Sequence, residues 1–347
     1  MQLYMGVLIF SFVVTAVLIV PFIDFLYKKK LVKKAEKREV RELATPELAA
    51  IRAKHDLKAG TPTGLGVLLV IVITVLFALL FPILKLPRVN LTLLSGYALN
   101  REIAVIFLTF VGFGLIGLYD DILKIFGFAR TGFFGLRRWH KFSLQWAVGI
   151  AVAALLYFGL KIDFIYVPFL GIVQLGWSYL PLAAFLIVGF ANAFDFTSGL
   201  DGLGEGLLMI CLMAFWIIAA TQLDNVLSLF IAVWLGSLIA GIYFTVHPAR
   251  AFLGNASGMA FGATLALVGL LSGKIVALLV IGGLFIVDGG SSLLQIVAKN
   301  VFKRRIFPIA PVHHLLELAG WEEPKIVARA WLLGLILAIF GVWISSL

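Results

Sequence analysis

Two adjacent carboxylates, Asp120 and Asp121 in "GLYDDILK", are the first candidates for chemistry. On a helix they point about 100° apart. They cannot form a facing dyad, but they can serve two neighbouring partners. Such carboxylates suit a hard cation such as Mg²⁺, which binds through one or two carboxylates plus substrate phosphates. A carboxylate can also act as general base toward a phosphate or hydroxyl. The plain alternative is a solvated helix end, with Asp120 pairing Lys124 at i,i+4.

Five further polar stretches accompany this one: "KAGTPTGLG" (58–66), "GLRRWHKFSLQ" (135–145), "NAFDFTSGLDGL" (192–203), "HPARAFLGNASG" (247–258) and "IFPIAPVHHLLELAGW" (306–321). The third holds Asn192, Asp195, Thr197, Ser198 and Asp201 between two apolar runs. Ionisable groups at membrane depth are functional candidates by default, and one shared site would account for all six stretches. His313 and His314 are adjacent, so they cannot easily both ligate one ion from one helix face. Contacts to a phosphate or a carboxylate suit them better. Lys58, Lys141, Arg250 and Arg305 could neutralise a pyrophosphate, and each also fits a purely topological charge. Asp288 falls mid-span and reads as a packing or kink residue. The glycines of these stretches permit tight turns or close backbone approach, but none forms a Walker or dinucleotide fingerprint.

The elements that must position these groups are membrane helices. Of the 347 residues, 62% are hydrophobic and 13% charged, and the mean hydropathy is +1.08. A soluble domain has roughly 45–50% apolar and about 25% charged residues. A span needs about 20 apolar residues. Candidates are 3–27, 64–86, 103–123, 143–160, 178–194, 204–221, 226–246, 259–272, 275–300 and 327–346, with a kink expected at "VDGGSS" (287–292). The expectation is therefore an all-α integral membrane protein with ten transmembrane helices, a single polytopic domain over 1–347. The loops 28–63, 124–142, 195–203, 247–258 and 301–326 hold nearly all the basic residues. All but Lys85, Arg88, Arg101, Lys161 and Lys274 of the 28 lie in the odd-numbered loops or at their edges. The positive-inside rule puts those loops in the cytoplasm and both termini outside. The six polar stretches then lie at the cytoplasmic face, as an active site there requires.

The same rule explains the net charge of +10 as anchoring to the lipid bilayer, and no nucleic-acid partner is expected. The basic block "KKKLVKKAEKREVRE" (28–42) reads as a helical surface segment. The N-terminal apolar run is followed by cations and exceeds a signal peptide's h-region of roughly 7–15 residues, which marks a first span. Cys211 is the single cysteine, excluding an intrachain disulfide or cysteine metal cluster, and reads as a packing residue.

The stretches "KAGTPTGLGV", "GLIGLYDDILK", "NAFDFTSGLDGL", "FLGNASGMAFG" and "RIFPIAPVHHLLELAGWEEPKIVARAW" carry a resemblance. The chain resembles the phospho-N-acetylmuramoyl-pentapeptide transferase family, within the polyprenyl-phosphate N-acetylhexosamine-1-phosphate transferases. The last stretch is the most specific, and the resemblance spans essentially the whole chain. It implies transfer of phospho-N-acetylmuramoyl-pentapeptide from the UDP-linked donor to undecaprenyl phosphate, giving lipid I and UMP, with Mg²⁺, in the bacterial inner membrane. It implies catalytic roles for Asp120, Asp121, Asp201, His313 and His314. Lys58, Thr61, Lys141, Asn192, Asp195, Ser198, Gln295 and Arg305 would bind substrate, Asp121 and Asn255 would hold the metal, and the protein would form a homodimer.

The chain also departs from the family pattern. The motif N-x-x-N-x-T-D-G-x-D-G carries Asp195 in place of its second Asn and Ser198 in place of its first Asp. The motif G-D-x-G-S reads "GNASG", with Asn255 in place of a metal-binding Asp, and Leu315 stands where a third His is usual. Asp195, three residues before Ser198 and on the same helix face, could take over the missing carboxylate's role. Alternatives stay open: an impaired or redesigned scaffold, a UDP-N-acetylglucosamine-using relative, or a lipid or nucleotide-sugar binding or transport protein.

Overall fold

Backbone in lipid must satisfy its own hydrogen bonds, so the long uncharged runs become helices. The computed structural model describes residues 2–33, 51, 53, 56–84, 97–126 and 138–347. In chain order the elements are α1 (Gln2–Lys28), α2 (Leu65–Leu84), α3 (Leu99–Phe126), α4 (Arg138–Ala154, continued by a π turn at Leu155–Gly159), β1 (Phe164–Val167), β2 (Gly171–Gln174), α5 (Tyr179–Thr197), α6 (Leu203–Thr221), α7 (Asn225–Thr245), α8 (Asn255–Leu271), α9 (Ile275–Ile281), α10 (Gly283–Val301), α11 (Val312–Leu318) and α12 (Glu323–Ser346).

Eight described helices are long and apolar enough to cross a membrane, as a multi-pass membrane protein requires. The segment expected at 259–272 is the 17-residue helix α8, which starts earlier, at Asn255. The segment expected at 275–300 is the pair α9–α10, bent by 76°. The break falls at Gly282 rather than at "VDGGSS", which is helical throughout. Gly282 faces the Phe190 ring, and a Cβ there would stand 2.5 Å from it. The all-helical expectation needs one addition. Between α4 and α5, β1 and β2 pair antiparallel with Phe164 opposite Gln174, turned at Gly171 with φ +78°. The loop expected at 195–203 is shorter than read, because α5 continues to Thr197. The basic residues 34–42 and the loop residues 127–137 lie outside the described residues.

The core centres on α7 and α8. Every residue of α8 from Ala256 to Leu271 is buried. A ladder of rings crosses the bundle: Phe77 of α2 meets Phe230 of α7, and Phe110 of α3 meets Trp234 and Phe261. Phe194 of α5 then bridges Phe261 and Phe285 of α10. Helix α8 packs against α3 and α5, α1 against α7, and α12 against α6 and α9. Two glycines bring the start of α8 close. A Cβ on Gly66 would strike Ser257, and one on Gly117 would strike the Asn255 backbone. Only a residue without a side chain allows that approach, and it sets the ends of α3 and α8 side by side.

Candidate active site

The C-terminal end of α5 and the turn after it, residues 192–201, touch three polar clusters in succession. The first gathers the ends of α3, α4 and α8. Asp120 is buried. Its Oδ2 accepts a short hydrogen bond from Asn255 Nδ2, and Lys124 and Lys141 stand 2.9 and 3.6 Å from it. Lys141 also donates to Asp195 Oδ2 at 3.0 Å, so one ammonium joins two carboxylates from different helices. Asp121 turns the other way, and its Oδ2 accepts the Ala256 N–H at 3.0 Å. That N–H belongs to the first turn of α8, where unpaired backbone donors and the helix dipole favour an anion. Asn192 donates to Gln145 Oε1 of α4 at 2.9 Å.

The second cluster closes around Asp201. Lys58 Nζ lies 2.7 Å from Asp201 Oδ1 and 2.6 Å from Glu323 Oε1. Glu323 also accepts the Asp201 N–H at 2.6 Å, while Asp201 Oδ2 accepts the Ala249 N–H at 3.1 Å. His247 Nδ1 stands 3.3 Å from Asp201. Asp201, His247 and Glu323 offer ligand atoms within 4.8 Å of one another, a grouping compact enough for a metal ion. Lys58 already neutralises two of the three, so an ion would compete with a covalently tethered ammonium. Burial, and next the charge of Lys58, hold the Lys33 ammonium below its usual range, with Asp201 and Glu323 opposing.

The third cluster sits where α10 meets α11. His313 is buried and bonded to Asp288 by both its main-chain N–H and its ring. His314 Nδ1 pairs with Glu317 at 2.7 Å. Gln295 pins the loop before α11, accepting the N–H groups of Ile306 and Phe307 and donating to the Phe307 carbonyl. The cluster meets the turn after α5 at Gly199, whose missing side chain makes room for the His313 ring.

Eleven of the expected residues therefore belong to these clusters or line them, and the other three do not join through their side chains. Ser198 is exposed and returns its hydroxyl to the Phe194 carbonyl at 2.9 Å, a common habit of hydroxyls at helix ends. Arg305 is exposed on the loop after α10. Thr61 enters through its backbone, its carbonyl accepting the Lys33 N–H at 2.9 Å. Asp288 is not merely a packing residue, since it carries His313. Glu323 and His247 were not singled out in the sequence. An acid opening a helix reads as a favourable dipole contact, which hides Glu323, and His247 reads as loop polarity. Nothing local marks either as a partner of Asp201.

Two kinds of relatives share this chain's sequence. Residues 103–273 match the model for glycosyl transferase family 4. The chain is 31% identical to the phospho-N-acetylmuramoyl-pentapeptide-transferase of Halalkalibacterium halodurans, covering 97% of this chain and 96% of that one. It is 28% identical to the protein of that description from Bacillus pumilus, over 99% and 98%. It is 34% identical to the one from Heliobacterium modesticaldum, over 84% and 85%.

Proposed function

The chain belongs to the phospho-N-acetylmuramoyl-pentapeptide-transferase family, and on that premise we propose that it makes lipid I. A phosphate oxygen of undecaprenyl phosphate attacks the β-phosphorus of UDP-N-acetylmuramoyl-pentapeptide. The bond from that phosphorus to the bridging oxygen breaks, and UMP leaves with the bonding electrons. The carrying observation is the convergence of three polar clusters from separate helices on residues 192–201. A lipid acceptor needs a site at the membrane boundary, a nucleotide needs access from water, and a diphosphate needs cations. In this reading α8 and the bent pair α9–α10 each count as one span, giving ten, and the bias of basic residues to the odd-numbered loops supports termini outside the bacterial inner membrane and clusters at the cytoplasmic face.

Within this reading Asp120 is the base or phosphate-side carboxylate toward the acceptor, Lys141 attracts the diphosphate as a point charge, and Lys58 holds Asp201 in place. Asp201, His313 and His314 complete the reacting surface, Asn192 and Arg305 are offered to the donor's polar groups, and Gln295 and the Thr61 backbone hold the loops around them. The oxygen donors fit a hard cation. Asp121 would supply a carboxylate, and Asn255, with Nδ2 given to Asp120, keeps its Oδ1 as an acceptor. When bound there, Mg²⁺ supplies positive charge for the departing UMP. Asp195, held toward Asp120 by Lys141, would carry the charge that Ser198 lacks. A homodimer is the proposed assembly, checked by mass measurement in lipid nanodiscs.

The test is UMP release by the purified protein in lipid, given both substrates, with Mg²⁺ and with a chelator. We expect release that needs both substrates and stops with the chelator. Donor and acceptor binding without UMP would reject the reading.

A further inference from the structure

Asp288 and His313 are buried together, at 7% and 3% exposure. Asp288 Oδ1 accepts the His313 main-chain N–H at 3.1 Å, and Oδ2 meets ring Nδ1 at 2.8 Å. One side chain thus orients the backbone of α11 and the imidazole it carries. A carboxylate can only accept, so Nδ1 must hold the hydrogen between them, and a neutral ring then has a bare lone pair on Nε2.

That second nitrogen is the informative one. Nε2 is buried and has no hydrogen-bond partner among the described residues, although an unmet buried polar atom is costly. A core histidine kept for packing has both nitrogens satisfied. Here Nε2 looks at Gly199, where an added Cβ would stand only 2.5 Å from it. Gly199 lies on the short segment between Asp195 and Asp201, the segment shared by all three clusters. The geometry therefore leaves one oriented acceptor facing that segment.

We propose that Asp288 is a positioning residue that fixes His313 as the Nδ1–H tautomer, so that Nε2 accepts a hydrogen bond from a substrate hydroxyl beside Gly199. The substrate half of this inference rests on the transferase function; the tautomer half does not. Asp288→Asn tests it sharply. The amide oxygen can still accept the His313 main-chain N–H, but the amide NH₂ then faces the ring and donates to Nδ1, forcing the hydrogen onto Nε2.

The experiment uses ¹⁵N-histidine-labelled full-length protein in lipid nanodiscs, with the His313 signal identified by its loss in His313→Gln. We expect Nδ1–H in the parent and Nε2–H in Asp288→Asn. We expect kcat/KM for UMP release to fall about tenfold in that variant, the range of one lost hydrogen bond to the substrate. Asp288→Glu restores the Nδ1–H signal and brings kcat/KM to within about threefold of the parent. Gly290→Ala, on the same helix with open space around its Cα, changes neither reading. An unchanged tautomer in Asp288→Asn, or turnover at the parent rate, overturns the proposal. If the parent releases no UMP at all, the transferase function fails while the tautomer inversion still supports the positioning role.

Discussion

The acidic centres around Asp120 and Asp201 lie at opposite ends of one ten-residue stretch, 192–201, and they are built differently. Around Asp201 the chain supplies its own cation at close range: Lys58 sits between Asp201 and Glu323, the Asp201 N–H shares Glu323 Oε1 with it, and the Ala249 N–H takes the other Asp201 oxygen. Around Asp120 the cations are Lys124, 40% exposed, and Lys141, which is shared and stands 3.6 Å away. Three carboxylates there, Asp120, Asp121 and Asp195, face two ammonium groups. A centre with its counter-charge locked in holds loops together. A centre with surplus negative charge and a looser counter-charge is where an incoming cation or phosphate can change the balance.

The sharpest way to break this contrast is to remove one charge from each centre. Asp120→Asn is expected to lower UMP release by about 10³-fold while leaving thermal unfolding near the parent's, the range of a positioned base or charge. Lys58→Met should do the reverse in emphasis. It strands two carboxylates in a partly buried site, a change that costs about 3–5 kcal/mol, read as a lowered unfolding midpoint in lipid, with activity falling as a consequence. Equal loss of stability in both variants would erase the distinction.

Ion binding sharpens it further. Asp195→Asn is expected to raise the Mg²⁺ concentration for half-maximal UMP release about tenfold, and Asn255→Asp to lower it about tenfold, since ligand charge tunes affinity. Glu323→Gln should leave that concentration unchanged. A shift with Glu323→Gln but not with Asp195→Asn would move the metal to the Asp201 centre. The smallest effect belongs to Ser198→Ala, whose hydroxyl is spent on its own helix. Turnover within about twofold and stability within about 0.5 kcal/mol are expected.

Much of this organisation was legible in the chain. The helices followed from apolar run length, and Asp120, Asp195 and Asp201 stood out because carboxylates are rare at membrane depth. The bend was misplaced because "VDGGSS" carries the stronger local breaker signal, whereas Gly282 breaks the helix where the Phe190 ring crowds it. The hairpin was missed because its short strands lack the length and alternation that separate a strand from a loop in so apolar a chain. Which acid pairs with which cation was not legible at all. Lys58 and Glu323 are 265 residues apart, and Asp288 reaches His313 from a different helix, so only the packed bundle reveals these partnerships.

Gly117 stands three residues before Asp120, with the Asn255 backbone against it. A single methyl group at that position would act as a wedge, prying the second helix off the first while leaving every charged atom chemically intact. Competence in this protein can therefore be abolished from the apolar side, by a change no inventory of reactive groups would flag.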